Sequence, residues 1–552
     1  MNINFIIRTE DIKLSEITKI YVETKSDRNI INKLKASSQL LLIGSRGIGK
    51  TMLIKVAENE LNREYSTKKI LPVYLSFSKS MLVNNPFDNK NFQYWMYAKL
   101  LNEFRNAILE KGIITADSDP FKKLFKNENE SESESNLDKF IKILENSWRN
   151  QKKIKKIEIM EILGIDESNF KVVDDIDFIK EIIKSFCTKF SIEKVIFFFD
   201  EACHNFIPRQ QRDFFSMFRD LRSPYICCKA AVYPGISYYS TLQLFHDVNS
   251  VVVERNINDE NYISSMRDMV KCQINDNKFI EKLESQGQCF DALIMCCDGN
   301  PRLLLKSIEQ ASEGFKSFKK NNVSSTIKDF YRVQIWQEHT KLSSFYSGHK
   351  EMIDWGRIFI ERDVLEETKN KNRKNDKQTI FFVVHKDAPE SVKSSVRILE
   401  YSGIIRLHTE GTKVRGEVYD RYQLNLGVVV ASEGTTSVVE RSKEIFDNLS
   451  IKIYTEYGKN SPAFNDINKS ISLENASEDM FLVLNNILKK SLDTLDLTQH
   501  KKNVLQEIGI KTIEDILKSS EEDLQKAVRI GPINSRRIYN VAYNAALEYI
   551  SG

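Results

Sequence analysis

Eight consecutive residues near the start of the chain have the types and the spacing of a phosphate-binding loop. They are Gly44, Ser45, Arg46, Gly47, Ile48, Gly49, Lys50 and Thr51. The three glycines let backbone N–H groups turn inward, so that these groups and the N-terminus of a following helix face an anion. Lys50 can then reach the β- and γ-phosphates, and the Thr51 hydroxyl can bind Mg²⁺. With Met52, the segment predicts a site for ATP and Mg²⁺.

An acidic pair much later in the sequence supplies a second candidate group. The apolar run 194–199 ends directly in Asp200 and Glu201. Beside a bound triphosphate, Asp200 would hold Mg²⁺, often through water, and Glu201 would polarise the attacking water as general base. Such a pair is common by itself and gains its weight from the glycine-rich loop. Together the two motifs predict hydrolysis as well as binding.

These side chains need a sheet that brings them to one edge. Short apolar runs at 40–43, 71–77, 194–199, 225–232 and 251–253 alternate with segments of helical spacing. Strands that alternate with helices indicate an α/β fold with a parallel sheet. From 257 to 345 only helical spacing is visible, which predicts a helical subdomain after the sheet.

The two motifs and the helical subdomain together resemble the AAA+ P-loop ATPases. Within that subdomain the segment 297–302 resembles the sensor 2 segment of origin recognition (replication initiator) and STAND-type ATPases. The resemblance implies that Arg302 approaches the γ-phosphate as a catalytic residue beside Lys50 and Glu201. Gly299, Asn300 and Pro301 break one helix and start another, which places Arg302 in a first helical turn. The alternative is a surface arginine behind a helix cap.

Two features depart from that family. The fourth strand runs into Tyr233, Pro234 and Gly235, where the sensor 1 position usually carries Asn or Thr; Tyr233 and Ser237 are the available substitutes. For an arginine finger the candidates are Arg219, Arg222 and Arg255, and the sequence does not rank them. Assembly into a nucleotide-dependent homo-oligomer therefore stays open.

Residues 346–432 resemble the winged helix that follows the ATPase in initiator-type proteins. A helix at about 391–401 precedes two strands that are separated by a polar, glycine-containing turn. Lys393 and Arg397 on the helix, and Arg415 with Lys413 and Arg421 on the wing, are candidates to contact DNA. The alternative is a winged helix that packs against the ATPase or a partner protein.

The last region resembles tandem helix-hairpin-helix domains, including the C-terminal domain of the RNA polymerase α-subunit. The match covers 505–517, 520–524 and 528–538, with apolar-Gly-apolar hairpins at Gly509 and Gly531. Backbone amides in such hairpins can approach a DNA phosphate, and Arg529, Arg536 and Arg537 would add positive charge. Because basic residues barely outnumber acidic ones from 489 onward, protein interaction is the alternative.

The predicted domain order follows from these segments. Residues 1–256 form the ATPase core with an insertion at about 120–160, and 257–345 form the lid and a connecting helix. The winged helix takes 346–432, a linker 433–480, and the helix-hairpin-helix domain 481–552. The Ser/Glu-rich stretch 127–136 cannot bury apolar surface and is expected to be solvated.

Composition and charge limit the classes of function and cellular location that remain open. The net charge of +4 does not mark the whole protein as a nucleic-acid binder, so any DNA surface must be local. No apolar run approaches a bilayer-spanning length, and charged residues interrupt the first segment too early for a secretory signal. The eight cysteines contain no C-x-x-C pair. We therefore expect a cytoplasmic protein with reduced thiols and no membrane partner.

Two functions of different classes remain. The first is an ATP-binding and ATP-hydrolysing AAA+ protein that acts as a nucleotide-controlled switch on double-stranded DNA. The alternative is a STAND-like ATPase sensor that recruits a protein effector, in bacterial defence or a mobile element. A helicase or motor is disfavoured because the sequence contains no second ATPase domain.

Overall fold

The computed structural model describes residues 12–79, 89–115, 135–150, 152–202, 208–235, 246–274, 276–345, 349–465 and 487–550, and a few single positions besides. Residues 120–134 and 151 of the predicted insertion lie outside these residues, as does the Ser/Glu-rich stretch except for its last two positions. Ser237 lies outside them as well.

Five parallel strands form the sheet that carries the glycine-rich loop. They are β1 (Leu40–Ile43), β2 (Ile70–Ser76), β3 (Lys194–Asp200), β4 (Ile226–Val232) and β5 (Asn249–Val252). Their order is β2-β3-β4-β1-β5, with every pair parallel. The carboxyl ends of parallel strands meet at one edge. This order therefore places the ends of β1, β3 and β4 side by side, which is where the loop, Asp200 and Tyr233 emerge.

The helices of the core cover both faces of this sheet. They are α1 (Ile17–Ile20), α2 (Lys25–Lys35), α3 (Lys50–Lys68), α4 (Asn89–Glu110), α5 (Asn136–Arg149), α6 (Lys156–Leu163), α7 (Glu167–Phe170), α8 (Ile176–Phe190) and α9 (Pro208–Asp220). In β3, Phe197 and Phe199 pack into one apolar layer, whereas Ile196 and Phe198 pack into the other. A strand buried on both faces reads as a continuous apolar run, which is why the sequence reveals it so clearly.

Helices alone make up the lid that follows the sheet. They are α10 (Tyr262–Cys272), α11 (Asn277–Ser285), α12 (Gly287–Cys296), α13 (Pro301–Ala311), α14 (Lys320–Asp329) and α15 (Ile335–Phe345), the last two joined by a π-helical turn at Phe330–Gln334. Asn300 is the N-cap of α13, and its side chain accepts a hydrogen bond from the Leu303 N–H. The cap and Pro301 at the first helical position fix where α13 begins.

A second, four-stranded sheet belongs to the winged helix. Its elements are α16 (Lys350–Ile358), α17 (Leu365–Lys374), β6 (Phe381–His385), α18 (Glu390–Tyr401), β7 (Ile405–Val414), β8 (Glu417–Leu424), α19 (Leu426–Ser432), α20 (Val438–Asp447) and β9 (Thr455–Tyr457). The strand order is β7-β8-β6-β9, with β8 antiparallel to both neighbours and β9 parallel to β6. Lid and winged helix share one apolar core.

The predicted linker at 433–480 is wrong in its described part. Helix α20 buries Val438 and Ile445, and β9 adds a strand to the winged-helix sheet in which Tyr457 is buried. The polar residues around Gly434 are followed by an amphipathic helix of only three turns, which the composition of the segment does not reveal. Composition therefore placed the end of the winged-helix region too early. The winged-helix region extends beyond residue 432.

The C-terminal helices have a separate apolar core. They are α21 (Gln499–Glu507), α22 (Ile513–Lys518), α23 (Glu521–Leu524) and α24 (Pro532–Ile550). The tight turn between α21 and α22 contains Gly509, and the turn before α24 contains Arg529 and Gly531. Within the described residues, no helix is long and apolar enough to cross a membrane.

Candidate nucleotide site

A cavity of about 330 Å³ opens where the glycine-rich loop meets the carboxyl edge of the sheet. The loop, the acidic pair at the end of β3, the extended residues before α2 and the lid helices α10 and α13 form its walls. The predicted site residues that line it are Arg46, Gly47, Gly49, Lys50, Thr51, Met52, Asp200, Glu201 and Arg302. The other three predicted residues of the loop, Gly44, Ser45 and Ile48, are not part of the cavity lining.

The loop can take its shape only with glycine at its tightest point. Gly47 has a φ of +85°, in the left-handed region that favours glycine. A Cβ atom on Gly47 would lie 2.8 Å from Asn300 Oδ1 and 3.0 Å from Arg302 Cβ, so the lid approaches the loop backbone directly. Helix α3 begins at Lys50, which points the positive end of its dipole into the cavity.

Lys50 is buried, and among the described residues it has no acidic partner at hydrogen-bond distance. Its Nζ donates to the carbonyl oxygens of Gly44 (2.6 Å) and Ser45 (3.0 Å). It also lies 4.0 Å from the centre of the Tyr233 ring. Burial lowers the pKa of Lys50 to about 7, and Asp200 opposes this shift only in part. A bound phosphate would supply the negative charge that this ammonium lacks.

The acidic pair lies directly at the end of β3, as predicted from the sequence. Asp200 is buried, and its carboxylate accepts hydrogen bonds from the Tyr74 hydroxyl (3.0 Å) and from the Glu201 N–H (3.0 Å). Glu201 has a φ of +53°, unusual for a residue with a side chain. The Ser76 hydroxyl donates to Glu201 Oε2 at 3.4 Å. These bonds from β2 orient both carboxylates toward the cavity.

The lid closes the cavity through the turn before α13. Asn300 Nδ2 donates to the backbone carbonyl of Arg46 at 2.9 Å, which ties the lid to the loop. Arg302 lies in the cavity wall, and its Nε is buried with no hydrogen-bond partner in the described part of the protein. A buried donor without a partner costs about 1–3 kcal/mol, a cost that an anion in the cavity would remove.

The residues of this cavity fit a magnesium nucleoside triphosphate. Arg46, Lys50, Arg255 and Arg302 surround it, the loop offers backbone amides, and the Nε of Arg302 is unsatisfied by any described residue. The loop amides, Lys50 and Arg302 would hold the phosphates. Thr51 and Asp200 would hold Mg²⁺, for which oxygen ligands are preferred.

Among the three candidate arginines only Arg255 lines the cavity. Its guanidinium donates to the Ile48 carbonyl and lies 3.8 Å from the buried Asp27 carboxylate. Arg219 pairs with its neighbour Asp220, and Arg222 is exposed at the other end of the sheet. Arg255 therefore lines the cavity of its own molecule. Its position could not be predicted from the sequence, because it depends on how the residues after β5 pack against the lid.

The sensor 1 position contacts the winged helix. Tyr233 follows β4, and its ring packs edge-on against Tyr401 at the end of α18, with the ring centres 5.3 Å apart. Gly235, with a φ of +73°, lies against the α18 backbone, and a Cβ there would be 2.5 Å from the Arg397 Cβ. The winged helix thus packs on the ATPase core, as the alternative interpretation of this domain had it.

Most of the predicted DNA-contacting cations form intramolecular contacts. Lys393 and Arg397 both pair with the buried Glu390 at the start of α18. Arg537 pairs with Asp387, and Arg536 binds Glu521 and the carbonyls of Asp387 and Lys459. In this conformation these cations are therefore engaged within the protein, and their contact with DNA stays a prediction. Helix α24 docks onto the N-terminus of α18, where Asn540 accepts a hydrogen bond from the Glu390 N–H.

Six of the predicted DNA-contacting residues are exposed: Arg397 and Arg537, which form the ion pairs described above, and Lys413, Arg415, Arg529 and Gly531. Arg415, at the tip of the wing, has 85% of its side chain exposed and approaches Glu456 only at 4.0 Å. Arg529 and Gly531 are exposed at the second hairpin. The exposed cations are therefore split between two domains.

Comparison with known families agrees with this geometry. Residues 2–244 match the family model described as ORC-CDC6-like. This segment is therefore similar to that family. Residues 481–532 match the model for the C-terminal domain of the bacterial RNA polymerase alpha subunit. The predicted fold class is confirmed: the ORC-CDC6-like α/β P-loop core of AAA+ type and its helical lid are followed by a winged helix and a small all-α helix-hairpin-helix domain.

Solved structures also match, at low identity. The ORC1 protein of Aeropyrum pernix, whose structure was determined in complex with DNA, is 12% identical to this protein. The match covers 78% of this protein and 95% of the ORC1 polypeptide, with a TM-score of 0.30. No curated protein sequence matches the present one.

Proposed function

We propose that this protein binds and hydrolyses ATP and uses the nucleotide to control its engagement with double-stranded DNA. The observation that carries the proposal is the contact series from Lys50 through Tyr233 to Tyr401. It links the lysine that would hold the phosphates to the helix that would contact DNA. A movement of Lys50 toward a bound phosphate would therefore alter the packing of Tyr233 on Tyr401 directly, through two contacts.

Hydrolysis would use the acidic pair and the lid arginine. Mg²⁺, when bound, neutralises charge on the β- and γ-phosphates. Glu201, oriented by Ser76, would accept the proton of the attacking water, while Lys50 and Arg302 would offset the charge that develops on the transferred phosphoryl group. Asp200, held by Tyr74, would keep the metal ion in place.

The switch would begin at Lys50. In the present conformation its ammonium donates to two loop carbonyls and lies over the Tyr233 ring. A triphosphate would draw the ammonium toward itself, which weakens the cation–π contact with Tyr233 and loosens its packing on Tyr401. Because Gly235 packs on the same helix, α18 would shift as a unit.

DNA binding would follow from release of the paired cations. In the present conformation Glu390 forms ion pairs with Lys393 and Arg397, and Asp387 forms one with Arg537. Movement of α18 and α24 apart would exchange these carboxylates for DNA phosphates. The exposed Arg415 and Arg529 would provide the first contacts.

ATP turnover with and without double-stranded DNA tests this function. We expect Lys50→Ala to lose nucleotide binding. We expect Glu201→Gln to keep binding and to lose turnover by roughly 100-fold or more, as for loss of a general base. DNA should change the wild-type rate. A Glu201→Gln protein that turns over like wild type would exclude the hydrolytic role, and DNA that neither binds nor changes the rate at moderate salt would exclude the DNA role.

The alternative function, a sensor that recruits a protein effector, has one specific observation in its favour. Val528 and Ile533 flank the second hairpin with 61% and 45% exposure, which is more typical of a protein-binding surface than of a phosphate-binding one. Capture of one protein partner by the full-length protein in only one nucleotide state would favour this function. Mass measured in each nucleotide state would test whether the protein forms a homo-oligomer.

A further inference from the structure

The turn between α12 and α13 holds two consecutive residues in the left-handed backbone region. Asp298 has a φ of +48° and Gly299 a φ of +74°. Glycine adopts this region freely, whereas a residue with a side chain does so at a cost and stays there only where its surroundings fix it. Asp298 therefore needs contacts that hold this turn in place.

The contact that holds the Asp298 carboxylate comes from the winged helix. Gln423 on β8 donates from Nε2 to Asp298 Oδ1 at 2.7 Å, and its Oε1 accepts a hydrogen bond from the Arg406 guanidinium on β7 at 2.8 Å. Gln423 is completely buried. An amide that donates on one side and accepts on the other has one productive orientation. A hydrogen-bonded series therefore runs from β7 through β8 to the lid turn.

The charges around this series place it where the lid and two parts of the winged helix meet. Burial raises the pKa of Asp298, and it raises the pKa of Glu400, at the end of α18, to about 7. The positive charge of Arg406 opposes both shifts, and its Nε is buried with no hydrogen-bond partner among the described residues. One guanidinium on β7 thus interacts with a carboxyl of the lid and with a carboxyl of α18.

The same turn positions the two lid residues of the nucleotide cavity. Asn300 follows Asp298 by two positions and donates to the Arg46 carbonyl, and Arg302 lies in the first turn of α13. Because Asn300 is tied to the loop, a change in the backbone angles of Asp298 would tilt α13 about this point. Arg302, which lines the cavity, would then move relative to the phosphates.

We propose that Asp298 and Gln423 are positioning residues for hydrolysis, through which the winged helix sets the place of Arg302 in the cavity. The docked winged helix holds the strained turn and keeps Arg302 against the transferred phosphoryl group. Double-stranded DNA that displaces β7 and β8 breaks the bond between Gln423 and Asp298, withdraws Arg302 and slows hydrolysis. DNA thereby prolongs the ATP-bound state. This inference rests on the proposed function, since it assumes that the cavity hydrolyses ATP.

Two substitutions of Asp298 separate positioning from stability. Asp298→Gly removes the acceptor for Gln423, but glycine favours the left-handed φ, so the fold is kept. Asp298→Asn keeps an acceptor oxygen, and asparagine tolerates this region, so it is the conservative rescue. We expect Asp298→Gly to lower the kcat of ATP hydrolysis at least about tenfold, as for a misplaced catalytic group. The KM for ATP should rise by no more than about threefold, because Lys50 and the Asn300 contact are intact. Asp298→Asn should restore the wild-type kcat.

Ser191→Gly is the matched control. Ser191 has a φ of +53° at the C-cap of α8 and is exposed, so glycine relieves the same kind of backbone strain away from the lid. Its kcat should equal that of wild type, and urea unfolding of each variant checks that the fold is kept. Gln423→Met removes the donor and should lower kcat as far as Asp298→Gly does, with no further loss in the double variant. Double-stranded DNA should lower the kcat of wild type and leave that of Asp298→Gly unchanged.

The outcomes separate this inference from the proposed function. A wild-type kcat in Asp298→Gly, or a low kcat that Asp298→Asn does not restore, shows that positioning through Gln423 is wrong while hydrolysis stands. An equal fall of kcat in Ser191→Gly overturns the inference as well, because backbone strain anywhere in the protein would then have the same effect. If wild type hydrolyses no ATP, the proposed function fails and this inference fails with it. Should Gln423→Met not fold, the two Asp298 variants still decide the matter.

Discussion

Asn300 ties the lid to the phosphate loop, and its substitution separates closure of the site from simple helix capping. Its Nδ2 donates to the Arg46 carbonyl at 2.9 Å, and its Oδ1 accepts from the Leu303 N–H at 3.2 Å. Asn300→Ala removes both bonds. Loss of an N-cap costs about 1 kcal/mol, and loss of one neutral hydrogen bond costs about 1 kcal/mol. We therefore expect the free energy of unfolding to fall by about 2 kcal/mol.

The matched variant is Asn300→Ser. Serine caps a helix as well as asparagine does, but its short side chain does not extend to the Arg46 carbonyl. This variant should lose only about 1 kcal/mol of stability. Both variants should bind ATP about fivefold more weakly, because the lid then closes at a cost of about 1 kcal/mol that wild type does not have.

Calorimetric titration with ATP and urea unfolding of the three proteins measure these quantities. Equal ATP affinity in wild type and both variants would refute the reasoning, since Asn300 would then serve α13 alone. Restoration of wild-type affinity by serine, with only alanine impaired, would do the same.

Three other perturbations follow from the structure. Below pH 7 Lys50 is charged in both the free and the bound protein, but above its pKa of about 7 the empty site loses a proton that binding must restore. ATP affinity should therefore fall by up to about tenfold per pH unit above 7, with proton uptake detectable by calorimetry in two buffers. Gly235→Ala, which places a Cβ 2.5 Å from the Arg397 Cβ, should detach the winged helix and speed limited proteolysis of the domain. Asp387→Ala should free Arg537 and raise nucleotide-free DNA affinity severalfold, with a steeper salt dependence.

The phosphate loop, Asp200 with Glu201, and Arg302 could be predicted because each is a local pattern. A glycine-rich loop needs its residues in sequence, and an acidic pair after an apolar strand marks the end of a buried strand. The sheet followed from the same runs, since strands covered on both faces leave no polar alternation. For Arg302, the preceding Gly-Asn-Pro sequence fixes the helical turn in which the arginine lies.

The contacts between the domains could not be predicted, because they join residues far apart in the sequence. Tyr233 meets Tyr401, and Arg537 meets Asp387, only after the domains dock. Lys393 and Arg397 have the spacing of a DNA-reading face, yet that spacing also suits their shared ion pair with Glu390. Charge pattern alone does not distinguish a solvated cation from a paired one.

Part of the cavity wall was hidden for a related reason. Tyr21 and Gln273 belong to no local motif, and an isolated tyrosine or glutamine is unremarkable in sequence. Their importance comes from being buried in one cavity without partners among the described residues, a property that exists only in the folded protein.

The affinity of the Glu201→Gln protein for double-stranded DNA, measured at one salt concentration with Mg²⁺–ATP and without nucleotide, tests the central claim most directly. This variant should hold ATP without consuming it, so the nucleotide state stays fixed during the titration. We predict an affinity at least about tenfold higher with ATP, because the paired cations of α18 and α24 are then released to the DNA phosphates. Equal affinity in the two states would contradict a nucleotide-controlled DNA switch.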